Sequence, residues 1–127
     1  MISLQDYQNQ EDCMSDDLFE KIIRREIPAD IVLENDELLA FRDIQPQAPV
    51  HILIIPKRRI RTLNDLEADD AGLVGRLVLA ARELAKREGL AEDGYRLVFN
   101  CNPGGGQSVY HIHLHLLGGR QMNWPPG

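Results

Sequence analysis

Ser108-Val109-Tyr110-His111-Ile112-His113-Leu114-His115-Leu116-Leu117 is the stretch whose reading decides the rest of the chain. Histidine occupies positions 111, 113 and 115, with aliphatic residues between and after. Successive side chains on a β-strand point to opposite faces, so the three imidazoles would share one side and the aliphatics the other. On a helix the same residues would fan around the axis, and their spacing would serve no chemistry. One histidine in such a place is an ordinary polar residue on a solvated face. Three in strict alternation, backed by an apolar face, mark the strand Val109–Leu117 as the candidate reactive element.

The residues before it point the same way. Asn102 to Gln107 reads as a glycine-rich loop in which Gly104, Gly105 and Gly106 allow backbone N–H groups to approach an anion. Gln107 and Ser108 add side-chain donors at the same end. No Gly-Lys-Ser/Thr follows, so this is not a Walker loop. Two chemistries could use the imidazoles: binding a metal such as zinc or copper, or nucleophilic attack on phosphorus. Three close imidazoles resist being cations together, which keeps at least one neutral near pH 7. Spacing alone does not choose between the two.

The remaining elements define an α+β domain. Residues 1–16 are polar and acidic and are expected to form a flexible N-terminal arm, with 17–127 as the single domain. Asp16 or Asp17 can cap a short helix from Leu18 to about Arg24, whose Phe19, Ile22 and Ile23 share a face. Ile31–Leu33 and Leu38–Arg42 read as antiparallel strands around a turn. Pro46 and Pro49 make 43–49 a loop, and Val50–Ile55 is apolar enough for a strand buried on both sides. Asp65, Glu67, Asp69 and Asp70 suit the start of a helix over about 72–88, with Leu73, Leu77, Ala80, Ala81 and Leu84 on one stripe and Gly89 ending it. Tyr95–Asn100 is the fourth strand. About five strands with one long and one short helix predict an antiparallel sheet with its helices on one face.

Composition removes several classes. A formal charge of −6 argues against a surface that coats nucleic acid, and Lys57-Arg58-Arg59 with Arg61 reads as a solvated turn. No window approaches a membrane span. Cys13 and Cys101 form neither a disulfide framework nor a metal motif, and no leader pattern opens the chain. A soluble, cytoplasmic protein with free thiols is the expectation.

His111-Ile112-His113-Leu114-His115-Leu116-Leu117 resembles the signature of the histidine triad superfamily. Phe19-x-Lys21-Ile22-Ile23, Ile27-Pro28-Ala29, Ala40-Phe41-x-Asp43-Ile44, Pro46-Gln47-Ala48-Pro49, His51, Ile55-Pro56-Lys57, Gly105-Gly106-Gln107-Ser108-Val109-Tyr110 and Trp124-Pro125-Pro126-Gly127 are similar to its Hint branch. The resemblance covers the chain from about residue 18 onward. It implies a purine nucleoside phosphoramidase that cuts the P–N bond of adenosine or guanosine phosphoramidates, with no cofactor and no metal. By the same resemblance His113 is the nucleophile, and His115, Gln107 and Ser108 hold phosphate oxygens, with Ser108 near the leaving amine. His111 and His51 complete the hydrogen-bond network. Asp43 accepts from the ribose hydroxyls, Phe19, Ile22, Ile27, Phe41, Ile44 and Leu53 form the base pocket, and Asn100 and Gly106 lie beside the phosphate. A twofold homodimer with sheets joined across the axis is also implied, with Trp124 reaching the partner subunit's site. Asn123 departs from the family, where many relatives carry a further histidine. A nucleotide-binding regulatory protein with little turnover is the alternative.

Overall fold

The computed structural model describes residues 18–127; the arm expected over 1–16, the capping Asp16 and Asp17, and Cys13 lie outside them. Strands β1 (Ile31–Glu34), β2 (Leu38–Arg42), β3 (Val50–Pro56), β4 (Tyr95–Phe99) and β5 (Leu114–Gly118) form one sheet in the order β1-β2-β3-β5-β4. Every neighbouring pair is antiparallel. The first hairpin is fixed locally by Asn35, whose Oδ1 accepts the N–H groups of Glu37 and Leu38 at 2.8 Å each.

Helices α1 (Leu18–Ile23) and α2 (Ala71–Arg87) do not share a face of this sheet, contrary to the expectation from the sequence. Even-numbered residues of β2, β3 and β5 (Leu38, Ala40, Ile52, Ile54, Leu114 and Leu116) pack with Leu73, Leu77, Ala81 and Leu84 of α2. Odd-numbered Leu39, Phe41, Leu53 and Ile55 pack with Leu18, Phe19 and Ile22 of α1. The cause is in β2 and β3, which are apolar on both sides and therefore need a cover on each. Leu77 is completely buried at the centre of the larger core. Full burial of one such side chain stabilises by roughly 1.5–3 kcal/mol.

The ends of α2 differ in how far the acids matter. No acidic side chain occupies its first turn. Asp65 and Asp70 instead close two short 3-10 turns, accepting from the N–H groups of Thr62 at 3.1 Å and Glu67 at 2.8 Å. At the other end Gly89 has φ +75, its N–H reaches the carbonyl of Lys86 at 3.2 Å, and that of Leu90 reaches Ala85 at 2.8 Å. This paired arrangement is a Schellman stop, and the glycine supplies the left-handed residue it needs. The basic run is ion-paired rather than merely solvated: Lys57 bonds Glu34, Arg58 bonds Asp70, and Arg59 lies 3.5 Å from Glu20.

Two segments near the histidines also differ from expectation. Asn102–Gly105 forms one helical turn, α3, closed by Gly106 at φ +85. Strand β5 spans Leu114–Gly118, so only His115 of the three histidines lies within it. Its last pair with β3 is Ile54 with Leu114. Continued in the same register, Ile112 would sit opposite Pro56, which has no N–H to give, and the N–H of Ile112 turns instead to the carbonyl of Ile60 at 2.8 Å. Side-chain alternation survives the loss of pairing. Ile112 faces α2, while the His111 and His113 rings pack against Phe19 of α1.

Candidate active site

The register of β3 on β5 places Leu53 opposite His115 and His51 opposite Leu117. His51 is thus diagonal to His115 on the α1 face, within reach of a ring. The His51 Nε2 and His115 Nδ1 atoms are 2.9 Å apart. The backbone N–H of Gln47 donates to His51 Nδ1 at 3.0 Å. An imidazole that accepts at Nδ1 is neutral and carries its proton on Nε2, so His51 donates to His115. His115 then accepts at Nδ1 and carries its own proton on Nε2. That nitrogen is buried and has no hydrogen-bond partner among the described residues. Unmet buried donors are costly, and one aimed at a cleft is a place for an anionic or carbonyl oxygen.

The other two tautomers are fixed by carbonyls. His113 Nδ1 lies 2.8 Å from the His111 carbonyl oxygen and donates to it, so Nε2 is the nitrogen that bears the lone pair of this ring's neutral form. His111 is fully buried and donates through Nε2 to the carbonyl of Pro56 at 2.6 Å. The rings of His113 and His115 are 4.9 Å apart, and Phe19 meets His113 edge-on at 5.0 Å. Burial pushes His115 down to about 3, with the neighbouring His113 and His51 adding repulsion of any second charge. Burial lowers His51 as well, against the pull of Asp43. At neutral pH this pair is uncharged.

A cleft opens beside these rings, walled by Phe19, Ile22, Ile27, Phe41, Ile44 and Leu53, with Asp43, Ser108, His113 and His115 at its polar end. Asp43 Oδ1 accepts the N–H of Gln45 at 2.8 Å, which folds the 43–49 loop, and its Oδ2 lies 3.6 Å from His51 Nε2. The carboxylate keeps acceptor capacity for other hydroxyl groups. Asp43, His51 and His115 are also the group among the described residues whose ligand atoms, all within 4.8 Å, could hold a metal ion. A metal on Nε2 of His51 would displace its bond to His115.

Three expected phosphate neighbours are not in the cleft wall. Asn100, Gly106 and Gln107 do not line it. The side-chain amide of Gln107 is buried and spent internally: Nε2 donates to the carbonyls of Arg61 at 2.8 Å and Val109 at 3.0 Å, and Oε1 accepts from the N–H of Asn102 at 2.8 Å. The backbone N–H groups of Gly106 and Gln107 close the α3 turn on Pro103 and Asn102. The loop therefore does not present these amides to an anion. His51 and His111 stand behind the wall, touching His115 and Phe19, which line it.

The sequence matches the HIT domain family over residues 24–122. The chain belongs to the HIT domain family. It is 59% identical over 105 residues to the purine nucleoside phosphoramidase of Escherichia coli K12, covering 83% of this chain and 88% of that one. It is 58% identical to the adenylylsulfatase HINT1 of Arabidopsis thaliana, covering 87% of this chain and 76% of the relative. The crystal structure of a HIT family hydrolase from Legionella pneumophila Philadelphia 1 superposes with a TM-score of 0.87 at 62% identity, over 88% of this chain and 100% of that one.

Leu18, Pro28, Ala29, Arg42 and Val109 also line the cleft of this HIT domain, and the sequence assigns none of them a site role. Val109 has the parity of the three histidines, so alternation carried the signal. Leu18 neighbours Phe19 and lies four residues before Ile22, on the helix face that buries. Arg42 gives no such sign, and its guanidinium is committed to Glu88 at 2.8 and 3.1 Å.

Proposed function

We propose that the protein is a purine nucleoside phosphoramidase that hydrolyses the P–N bond of adenosine or guanosine 5′-phosphoramidates. The observation that carries this reading is the fixed set of tautomers: a lone pair on His113 Nε2 beside a buried N–H on His115. In the proposed sequence His113 Nε2 forms a bond to phosphorus as the P–N bond breaks, and the leaving amine departs with the electron pair and takes a proton from solvent water beside Ser108. Positive charge developing on the His113 ring is met at Nδ1–H by the His111 carbonyl. His115 Nε2–H stabilises the charge on a phosphate oxygen. Water then attacks phosphorus, the N–P bond breaks, and a nucleoside monophosphate and His113 are released. Asp43 takes the ribose hydroxyls, and the apolar wall from Phe19 to Leu53 takes the purine. The names of the E. coli and Arabidopsis relatives support a nucleotide substrate.

The test is hydrolysis of adenosine 5′-phosphoramidate by wild type and His113→Ala, each with and without chelator. Turnover that survives the chelator and falls by about 10³-fold or more in the variant is expected. Equal turnover in both proteins, or none in the wild type, overturns the reading in favour of a nucleotide-binding protein.

The proposal includes a twofold homodimer in the cytoplasm, with Trp124 contacting the partner subunit's site. It is supported by β4, which has one side unpaired among the described residues, and by Trp124, which is 81% exposed. No helix of the described residues is long and apolar enough to cross a membrane. Sedimentation equilibrium reads the dimer directly; a mass of one chain at micromolar concentration excludes it.

A further inference from the structure

The root of the C-terminal tail is joined to the histidines within one chain. β5 ends at Gly118, which pairs with Val50 at the start of β3. The next residue, Gly119, has φ +92 and lies against Pro49: a Cβ there would meet the proline Cβ at 2.9 Å. Arg120 Nε then donates to the carbonyl of Gln47 at 3.0 Å. Gln47 is the residue whose N–H holds His51 Nδ1 at 3.0 Å, and His51 in turn is 2.9 Å from His115. The 43–49 loop is thus gripped from outside at Pro49 and Gln47 and fastens the imidazole chain from inside. Two prolines, Pro46 and Pro49, remove backbone donors from this loop, and within it the Gln47 side chain donates to the Gln45 carbonyl at 3.0 Å, which leaves the Gln47 carbonyl to Arg120.

We propose that Arg120 is a positioning residue for the reaction: its bond to the Gln47 carbonyl holds the Gln47 N–H on His51 and thereby keeps the proton of His115 on Nε2. Without that grip the Gln47 amide drifts from His51 Nδ1, and His51 can carry its proton on either nitrogen. His115 then loses its fixed donor and, in a share of molecules, places a lone pair where the phosphate oxygen needs a proton. Tail and site are in this way one mechanical unit, independent of any contact the tail makes with a second subunit. The kinetic consequence rests on the phosphoramidase reading, while the imidazole arrangement does not.

The experiment uses full-length protein with ¹⁵N-labelled histidine, in which protonated and lone-pair ring nitrogens give separate signals. Wild type is expected to show bare Nδ1 and protonated Nε2 on both His51 and His115. Arg120→Met should mix these tautomers on both rings and lower kcat about three- to tenfold with KM for adenosine 5′-phosphoramidate little changed. Arg120→Lys, which keeps a cationic donor, should recover part of both. Gly119→Ala, which presses on Pro49 without removing Arg120, should reproduce the Met signature. Unchanged imidazole signals in Arg120→Met, whatever its activity or thermal stability, refute the proposal, as does a wild type with the opposite tautomers. If wild type proves inactive, the nitrogen signals still decide the wiring separately from the function.

Discussion

Replacing His115 by Gln will flatten the dependence of stability on pH between 8 and 5. His115 titrates near 6.5 when exposed and is pushed down to about 3 in the fold, chiefly by burial. Within this window the unfolded chain binds a proton at 115 that the folded chain refuses. Stability from this group is therefore fully present above 6.5 and is lost as pH falls. At about 1.4 kcal/mol per unit, the loss between pH 8 and pH 5 is roughly 2 kcal/mol. His51 adds to the same trend, because burial lowers it too. The carboxylates held low by partners, such as Asp70 and Glu88, lose their contributions chiefly at lower pH, outside the window. Urea unfolding at fixed protein concentration, at pH 8, 6.5 and 5, should show the wild type losing about 2 kcal/mol more than His115→Gln. Identical slopes for the two proteins would mean that His115 is readily protonated in the fold, and the neutral hydrogen-bond chain described for it would be wrong.

Three further outcomes follow from packing. Gly118→Ala would bring a Cβ within 2.6 Å of Leu90 Cδ1, so it should cost about 1–3 kcal/mol in chemical unfolding, with part returned by adding Leu90→Ala. Leu77→Ala removes a completely buried side chain and should cost roughly 2–5 kcal/mol, measured the same way; a loss under 1 kcal/mol would contradict the core as described. Gln107→Leu leaves the Arg61 and Val109 carbonyls and the Asn102 N–H without their partner, and should speed amide hydrogen exchange across residues 101–109. Exchange unchanged there would show that the α3 turn stands without its central amide.

The sequence made the parity of the histidines legible because alternation is a property of the chain itself. Where β5 begins was not legible, because pairing depends on Pro56 in a distant strand. The period of α2 could be read, yet the face it covers could not: Val50 to Ile55 is apolar at every aliphatic position and silent about direction. Asp43, Phe19 and Leu53 stood out by resemblance, since on their own an aspartate before a proline loop reads as a turn and an apolar side chain as core. Asp43 does both jobs, bonding Gln45 while lining the cleft. Gln107 misled for a physical reason. A glutamine beside glycines offers the same donors on paper whether they point outward or are consumed inside a turn.

The proline at the end of β3 has a wider effect than stopping a strand. Because no described strand pairs with residues 109–113, carbonyl oxygens there take side chains: Val109 receives Gln107, Tyr110 receives Arg59, and His111 receives His113. A protein engineer who lengthened the ladder here in search of rigidity would be competing for the acceptor that orients His113. The unzipped stretch works as a rack of fixed hooks, and its apparent disorder of pairing is what gives the imidazoles their order.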